Sequence, residues 1–283
     1  MSPRPPYLRV LLTFARNSLV RDMTFRTNFI LQCVSAISWT AMNVGFYEIV
    51  FRHTRQIGLD SGWGKWEFFV FLATTWVINS LVQAFFMPNC QEFSELIRTG
   101  GLDFALLKPI DTQFLVSFQK VEWSSLSNLV VGVGLLAISL TQLTGREHPL
   151  ALSPWMVLLY LFYVACGVAI MYSVMISLSA TSIWLGRNQT LYNFWFYITN
   201  FARYPMEIYY RGWGKILYVL FTFIIPVLVV VNVPARLLAQ PLTPRPNWEW
   251  QLAVFALFAA VGSLLASRVV FQLALRSYRS ASS

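Results

Sequence analysis

Residue types that carry catalytic or metal chemistry are scarce in this sequence and are not spaced as such sites require. His53 and His148 are the only histidines, so the sequence contains no HExxH metal-binding pattern. The Gly-Lys pairs at 64–65 and 214–215 lack the upstream glycine and the following serine or threonine of a GxxxxGK[ST] loop, which excludes a Walker A phosphate site. The three cysteines show no CxxC spacing and predict neither a zinc site nor a disulfide framework. We expect no catalytic, cofactor-binding or metal site in this chain.

One polar segment, residues 95–111, combines charged, apolar and helix-bounding residues at short spacing. Its residues of interest are Glu95, Arg98, Gly101, Leu102, Asp103, Phe104, Leu106, Leu107, Lys108 and Pro109. A glycine start at Gly101 and a proline stop at Pro109 predict a short amphipathic helix with its three leucines along one side. Such a helix suits docking in a groove of another protein. A membrane-surface helix without a partner is the alternative that these residues leave open.

The composition places that segment in a membrane protein. Hydrophobic residues make up 57% of the 283 residues and charged residues 12%, against about 45–50% and about 25% in soluble domains. Uncharged stretches cover 27–47, 68–91, 123–145, 149–186, 188–202, 216–235 and 250–267. Most are as long as the roughly 17–25 residues that cross the hydrocarbon core as a helix. We predict an all-α polytopic membrane protein, which excludes a soluble enzyme, a secreted disulfide scaffold and a transmembrane β-barrel.

The formal net charge of +9 indicates membrane orientation rather than nucleic-acid binding, because the Lys and Arg residues form short clusters between apolar stretches. Five arginines and one acidic residue precede residue 27, and three arginines with no acidic residue follow residue 267. Positive residues collect on the cytoplasmic side of a membrane. Both termini are therefore expected in the cytoplasm, and the number of crossings is expected to be even.

An interfacial amphipathic helix is predicted over residues 7–24. Its polar residues recur at helical spacing and fall within an arc of about 140°, taking about 100° per residue. The opposite face carries Leu8, Leu11, Phe14, Ala15, Leu19 and Met23. A helix with this pattern lies on the membrane surface rather than across it.

Seven apolar stretches and an even number of crossings mean that one stretch does not cross. Either 188–202 lies on the cytoplasmic face while 216–235 crosses, or the chain crosses at 188–206 and 216–235 is a re-entrant hairpin. Pro226 and Pro234 suit the hairpin, because proline interrupts helical hydrogen bonding where the chain must turn. The count of Lys and Arg favours the first arrangement, because it places 15 of them on the cytoplasmic side and 6 on the outer side. The re-entrant arrangement places 12 on the cytoplasmic side and 9 on the outer side.

Several short motifs carry a resemblance to a known family. They are Phe-Met-Pro-Asn at 86–89, Glu-Phe-Ser-Glu-Leu-Ile-Arg at 92–98, Leu-Asp-Phe-Ala-Leu-Leu-Lys-Pro at 102–109, Ala-Arg-Tyr-Pro at 202–205, and Ile-Ile-Pro at 224–226 followed by Pro-Ala at 234–235. Through them the chain resembles, over nearly its whole length, the permease subunits of bacterial type-2 ABC exporters. The segment 95–120 is similar to the cytoplasmic loop between the second and third spans of those permeases.

The resemblance implies a single transmembrane domain over residues 1–283, with six spans and a re-entrant element before the last. The expected elements are an interfacial helix at 7–24, spans at 27–50, 67–88, 123–143, 154–183, 188–206 and 250–272, a cytoplasmic coupling loop at 92–122, and a re-entrant element at 214–235. For residues 216–235 the resemblance predicts a re-entrant element, whereas the charge count favours a crossing. We follow the resemblance, because the two counts differ by three residues and two prolines interrupt the stretch.

The function that the resemblance implies is the membrane-spanning subunit of an exporter in the bacterial cytoplasmic (inner) membrane, moving a lipid-like or amphipathic substrate. Two copies of a separate ATPase would bind ATP and Mg²⁺, and this chain would hold no cofactor. A second permease chain, identical or paralogous, and membrane lipid are the other expected partners, and nucleic acid is not. A non-transporting membrane scaffold and a secondary carrier are the alternatives. The lack of a mid-membrane acid or histidine counts against the carrier.

The resemblance also assigns roles to individual residues. The apolar residues of the loop, Leu102, Phe104, Leu106 and Leu107, are expected to dock in a groove of the ATPase. Its charged residues, Glu95, Arg98, Asp103 and Lys108, are candidates for ion pairs at that joint. Substrate is expected to pass between faces of the first, second and fifth spans of the two permease chains, in apolar contact with the aromatic residues Trp39, Phe46, Trp76 and Phe196.

Overall fold

The structure, a computed structural model, describes residues 6–58, 62–145, 153–185, 196–239 and 249–278. Within these ranges the chain forms helices and connecting turns and no β-strand. The helices are α1 (Tyr7–Thr24), α2 (Arg26–His53), α3 (Lys65–Phe85), α4 (Met87–Arg98), α5 (Gly101–Leu106), α6 (Thr112–Phe118), α7 (Leu126–Thr144), α8 (Pro154–Ala180), α9 (Ser182–Leu185), α10 (Gly214–Val219), α11 (Val227–Ala239) and α12 (Glu249–Ser277). Short 3₁₀ turns cover Trp123–Ser125 and Met206–Tyr209, and a π-helical turn covers Leu220–Ile224.

Five helical segments of the described chain are long and apolar enough to cross a membrane. They are Arg26–His53, Lys65–Arg98, Trp123–Thr144, Pro154–Leu185 and Trp250–Ser277. A sixth apolar helix pair, Gly214–Ile224 and Val227–Ala239, is bent by 85° at its break. These segments confirm the predicted all-α polytopic membrane protein.

Helix α3 is the centre of the bundle and α2 is its most exposed long helix. In the most apolar window of each segment, 72% of the α3–α4 segment is buried but only 6% of α2. Glycines allow close packing of other helix pairs, because they carry no Cβ. A Cβ on Gly132 of α7 would lie 3.3 Å from the Ala73 carbonyl oxygen of α3, and one on Gly167 of α8 would lie 2.9 Å from the Val230 carbonyl oxygen of α11.

The bundle has two ends, which we call the loop end, carrying residues 99–125, and the far end. Helices α2 and α7 run from the loop end to the far end, and α3 and α8 run back. Helix α12 finishes at the loop end, because the Phe271 ring packs against Phe93 of α4 with ring centroids 5.6 Å apart. Its first residues therefore lie at the far end.

The segment between Glu207 and Arg236 begins and ends at the far end. Trp63, which directly precedes α3 at that end, donates its indole N–H to Glu207 Oε2 at 3.0 Å. Glu207 also forms an ion pair with Arg236 of α11. Both ends of the segment therefore lie at the same end of the bundle, and the choice between a re-entrant element and the crossing at 216–235 that the charge count favoured stays a prediction. The crossing expected at 188–206 includes residues 188–195, which lie outside the described residues.

Helix α1 covers the residues predicted for the interfacial helix and packs against the start of the third span. Ser18 Oγ accepts a hydrogen bond from the Val121 backbone N–H at 3.0 Å, and the Trp123 indole donates to the Ala15 carbonyl oxygen at 3.1 Å. Leu8, on the predicted apolar face, stays exposed. The helix thus has one face on the protein and a separate apolar face for lipid, and its place at a membrane surface stays a prediction.

Candidate functional site

The predicted amphipathic helix in the loop forms as α5, and a glycine sets its start. Gly100 has φ +72°, a left-handed conformation that favours glycine. It turns the chain sharply between the end of α4 and α5, and its carbonyl oxygen accepts a hydrogen bond from the Asp103 N–H at 3.1 Å. Helix α5 ends at Leu106, two residues before Lys108 and three before Pro109.

The two sides of α5 differ from the prediction at one position. Leu102 is 0% exposed and Ala105 is also buried, so these two residues attach α5 to the rest of the chain. Phe104 is 72% exposed and Leu107 is 81% exposed. Leu102 therefore cannot share the docking surface predicted for it, because its side chain is fully buried against the core. We call the exposed set Phe104, Leu106 and Leu107 the apolar ridge.

The charged residues predicted at the same joint lie around the ridge. Glu95 and Arg98 of α4 pair with each other, with Arg98 Nε 2.9 Å from Glu95 Oε2, and both side chains are more than half exposed. Residues three apart on a helix commonly pair in this way. Lys108 and Pro109 are exposed beside the ridge, and Asp103 is half-buried. Nine of the ten predicted loop residues are at least partly exposed, and Leu102 is buried.

A polar network fixes the segment after α5 to two spans. Asp111 caps the N-terminus of α6 by accepting the Phe114 N–H at 2.9 Å, and it forms an ion pair with Arg268 of α12. The Arg268 guanidinium holds the pKa of the Asp111 carboxyl below its ordinary value, and the Phe114 N–H acts in the same direction against the effect of partial burial. Arg268 also donates to Gln113 Oε1 at 3.0 Å.

Tyr172 of α8 continues this network into the bundle. Its hydroxyl accepts a hydrogen bond from Gln113 Nε2 at 3.0 Å and lies 2.8 Å from Ser117 Oγ. Its ring packs on Phe86, with centroids 4.7 Å apart, at the break between α3 and α4. The loop is therefore connected by side-chain contacts to α3, α8 and α12.

Asn89 closes the loop at its other end. This side chain, 3% exposed, accepts the Lys120 N–H at 2.8 Å and donates to the Lys120 carbonyl oxygen at 2.7 Å. Lys120 Nζ also lies 2.6 Å from Glu92 Oε1. These contacts hold the end of the loop, at Lys120, against α4, where the loop begins. Helix α5 lies between these two joined ends.

Three neighbouring cavities form one groove along α2. The cavity nearest the loop end has a volume of about 700 Å³, the middle one about 550 Å³ and the one nearest the far end about 180 Å³. Gln32 and Glu122 line both the first and the second, and Trp39, Gln83 and Asn128 line both the second and the third. The groove therefore runs from the loop end toward the far end between α2 and the bundle.

Three of the four predicted path aromatics lie at the inner part of this groove. Trp39 and Trp76 line its third cavity. Phe196 lies beside that cavity, with its ring centroid 5.5 Å from the Arg203 guanidinium carbon. Phe46 is 60% exposed and lines none of the three cavities, so its place on a path between two permease chains stays a prediction. It lies on the exposed side of α2, against Tyr47.

Comparison with known families decides the class of protein. The family of ABC-2 family transporter proteins matches residues 37–282. The chain belongs to the ABC-2 transporter family. This permease is a transmembrane subunit that associates with an ABC ATPase subunit and is not itself the ATPase. Neither the curated proteins nor the solved structures gave a match.

Sequence reasoning about this ABC-2 permease missed the contacts that join distant residues. Asp111 was visible as a loop charge and Arg268 as a charge of the C-terminal tail, but nothing in their spacing links them. Arg203 belongs to the Ala-Arg-Tyr-Pro motif and entered the sequence analysis only through that motif and the count of Lys and Arg. Neither observation predicts that it lines the groove. Asn89 likewise stood within a recognised motif without a predicted contact.

Proposed function

We propose that this permease is the membrane-spanning subunit of an ABC exporter and that the apolar ridge of α5 is its contact with the ATPase. The observation that carries the proposal is the exposure of Phe104 and Leu107 on a helix whose other side is buried. Exposed large apolar residues on a rigid element are typical of a protein contact. The loop end is then cytoplasmic, and both termini lie on the cytoplasmic side of a bacterial inner membrane.

The loop network supports transmission of force from that contact. Movement of α5 acts on α6, and Asp111 and Gln113 connect α6 to α12 and α8 through Arg268 and Tyr172. Closure of two ATPase copies on ATP would push on the ridge, and the connected spans would move with it. A two-state switch of this kind needs connected, rigid elements rather than a flexible loop.

The groove supports an inward-facing state of the exporter. Its widest cavity is at the loop end, and it narrows toward the far end. At the far end the Trp63–Glu207 hydrogen bond and the Glu207–Arg236 ion pair join the start of α3 to both ends of the re-entrant segment. A lipid-like or amphipathic substrate would enter from the cytoplasmic side, beside a second permease chain, and leave after this joint opens.

A charge on the ridge tests the proposal. Leu107→Asp is expected to weaken binding of the ATPase subunit, because a buried interface anchor contributes about 2 kcal/mol or more, which is about thirtyfold in affinity. The complex is purified from cells that express both subunits, and the ATPase that remains bound and its turnover are measured. Trp213→Asp, at a residue that is 86% exposed on the re-entrant segment, is the matched control and should leave both quantities unchanged.

The opposite result would remove the coupling role of α5. If Leu107→Asp keeps full assembly and normal turnover, the ridge is not the ATPase contact, and a membrane scaffold that merely exposes this helix fits better. Thermal unfolding of each variant checks that the bundle is intact.

A further inference from the structure

The third cavity of the groove is lined by more polar than apolar side chains, and one of its lining residues is charged. Its lining residues are Trp39, Thr40, Asn43, Tyr47, Leu72, Thr75, Trp76, Asn79, Ser80, Gln83, Asn128, Arg203 and Tyr204. The side-chain amides of Asn79 and Gln83 make no hydrogen bond to any residue in the described ranges. Polar groups inside an apolar bundle that lack protein partners are available to a ligand or to water.

Arg203 is the charged residue of this cavity. Its guanidinium lies over the Phe196 ring, with a distance of 5.5 Å from its carbon to the ring centroid. Among the described residues no carboxylate lies within ion-pair distance of it, although Arg21, Lys65, Arg98, Lys120, Arg236 and Arg268 all have one. Arginine stays protonated in proteins. Arg203 is exposed, so its charge is available to an anionic ligand in the cavity that it lines.

We propose that Arg203 forms the centre of an anion-binding site and that its ligand is an amphiphile with a carboxylate or phosphate head group. The guanidinium fork matches the two oxygens of either head group. The amides of Asn79 and Gln83 add neutral donors in the same cavity. Trp39 and Trp76 supply apolar walls beside them.

The position of the groove explains why the anion carries an apolar tail. The groove runs along α2, which is only 6% buried in its most apolar window. Leu31 and Trp39 of α2 line its second cavity and are exposed. A head group inside the groove would therefore leave its tail against this apolar surface or in the lipid. That the amphiphile is also the cargo rests on the exporter function proposed above.

The acidic residues near the groove do not compete for Arg203. Glu92 pairs with Lys120, and Asp22 pairs with Arg21. Glu122 lines the first two cavities and not the third. At the far end, Glu207 pairs with Arg236 and Glu48 pairs with Lys65, so these carboxylates already have cationic partners other than Arg203.

A fluorescent amphiphile tests the site directly. The permease, purified with its ATPase in phosphatidylcholine nanodiscs, is titrated with dansyl-undecanoic acid and with the neutral amide of the same compound. Tryptophan-sensitised dansyl emission reports binding near Trp39 and Trp76. Wild type is expected to bind the acid about tenfold or more tightly than the amide, since a hydrogen bond to a charged group contributes roughly 1.5–3 kcal/mol. Arg203→Gln should remove this difference, and Arg203→Lys should keep part of it.

Matched controls separate the site from general electrostatics. Arg211→Gln removes an exposed arginine eight positions further along the chain, which lines none of the cavities, and should keep the wild-type preference for the acid. Millimolar inorganic phosphate should not displace the bound acid. Equal wild-type affinity for acid and amide, an unchanged preference in Arg203→Gln with normal thermal unfolding, or full displacement by phosphate would each overturn the proposal.

The anion site and the coupling role of α5 can be tested independently of each other. If Leu107→Asp leaves ATPase assembly intact but Arg203→Gln abolishes the acid preference, the anion site stands and the coupling role fails. If Leu107→Asp releases the ATPase and Arg203→Gln changes nothing, the coupling role stands and the anion site fails. Arg203→Lys provides the decisive comparison with wild type should the glutamine variant unfold.

Discussion

At the scale of single residues, Leu102 shows how a short helix divides its apolar residues between two tasks. Leu102, Phe104, Leu106 and Leu107 were all predicted to dock outward, because a six-residue helix offers too few turns for periodicity to identify its inner face. In the structure Leu102 and Ala105, three apart, face the core, and Phe104 and Leu107, also three apart, face outward. The difference comes from packing against α4 and α6, which the sequence of α5 does not encode alone.

Asp111 gives a pH-dependent prediction at the same scale. Its folded pKa is lowered chiefly by the hydrogen bond from Arg268, so the folded state binds the proton less tightly than the unfolded state does. The stabilisation is therefore present above the ordinary aspartate pKa of 3.8 and is lost as the pH falls below it through the folded value. The midpoint of thermal unfolding should be higher for wild type than for Asp111→Asn at pH 7. The gap should close as the pH falls toward 3.

The size of that gap is limited by exposure, since the Asp111 and Arg268 side chains are 32% and 42% exposed. Ion pairs with this much solvent contact contribute about 1 kcal/mol or less. Asp103→Asn, which removes a carboxylate of the same loop, serves as the reference. A gap between wild type and Asp111→Asn that stays constant from pH 7 to pH 3 would contradict the assigned ion pair.

At the scale of elements, the re-entrant segment illustrates what composition leaves undecided. Apolar length and charge counts describe one stretch at a time, and both treat 216–235 as a good span. The ends of this segment are joined by a tertiary contact, in which Glu207 bonds Trp63 and Arg236 together. Such contacts link positions far apart in sequence, so neither apolar length nor charge counts could predict them, and the re-entrant arrangement stays a prediction. The bounds of α1, by contrast, followed from local periodicity alone.

The packing of α8 against α11 gives a prediction for this element. Gly167→Ala would place a methyl group 2.9 Å from the Val230 carbonyl oxygen, a backbone atom that can move only if α11 shifts. Overpacking of this kind costs about 1–3 kcal/mol, so the midpoint of thermal unfolding should fall. Gly134→Ala is the matched control, because nothing lies within 4 Å of its added Cβ.

The control should be neutral or slightly stabilising, since alanine favours a helix by up to about 1 kcal/mol over glycine. Both glycines lie in apolar helices that are long enough to span, so the lipid environment is similar for the two substitutions. If both variants unfold at the wild-type temperature, α11 does not pack against α8 at Gly167, and the described position of α11 is wrong.

At the scale of the whole molecule, the scarcity and position of charge predicted the fold class. A chain with 12% charged residues and long uncharged stretches has few structures open to it in a bilayer, because backbone groups there must bond within helices or closed barrels. The loop motif predicted the family, and the match over residues 37–282 confirmed it. The groove and its Arg203 could not be predicted, because a cavity depends on how helices distant in sequence diverge.

The most direct test of the coupling role is photo-crosslinking from the apolar ridge in cells that express the permease with its ATPase. Benzoylphenylalanine in place of Leu107, which is 81% exposed, is expected to capture the ATPase subunit. The same residue in place of Trp213, which is 86% exposed on the re-entrant segment, should capture none. An ATPase adduct from position 107 and none from position 213 is the predicted result. No adduct from position 107, or equal adducts from both positions, would contradict a permease driven through α5.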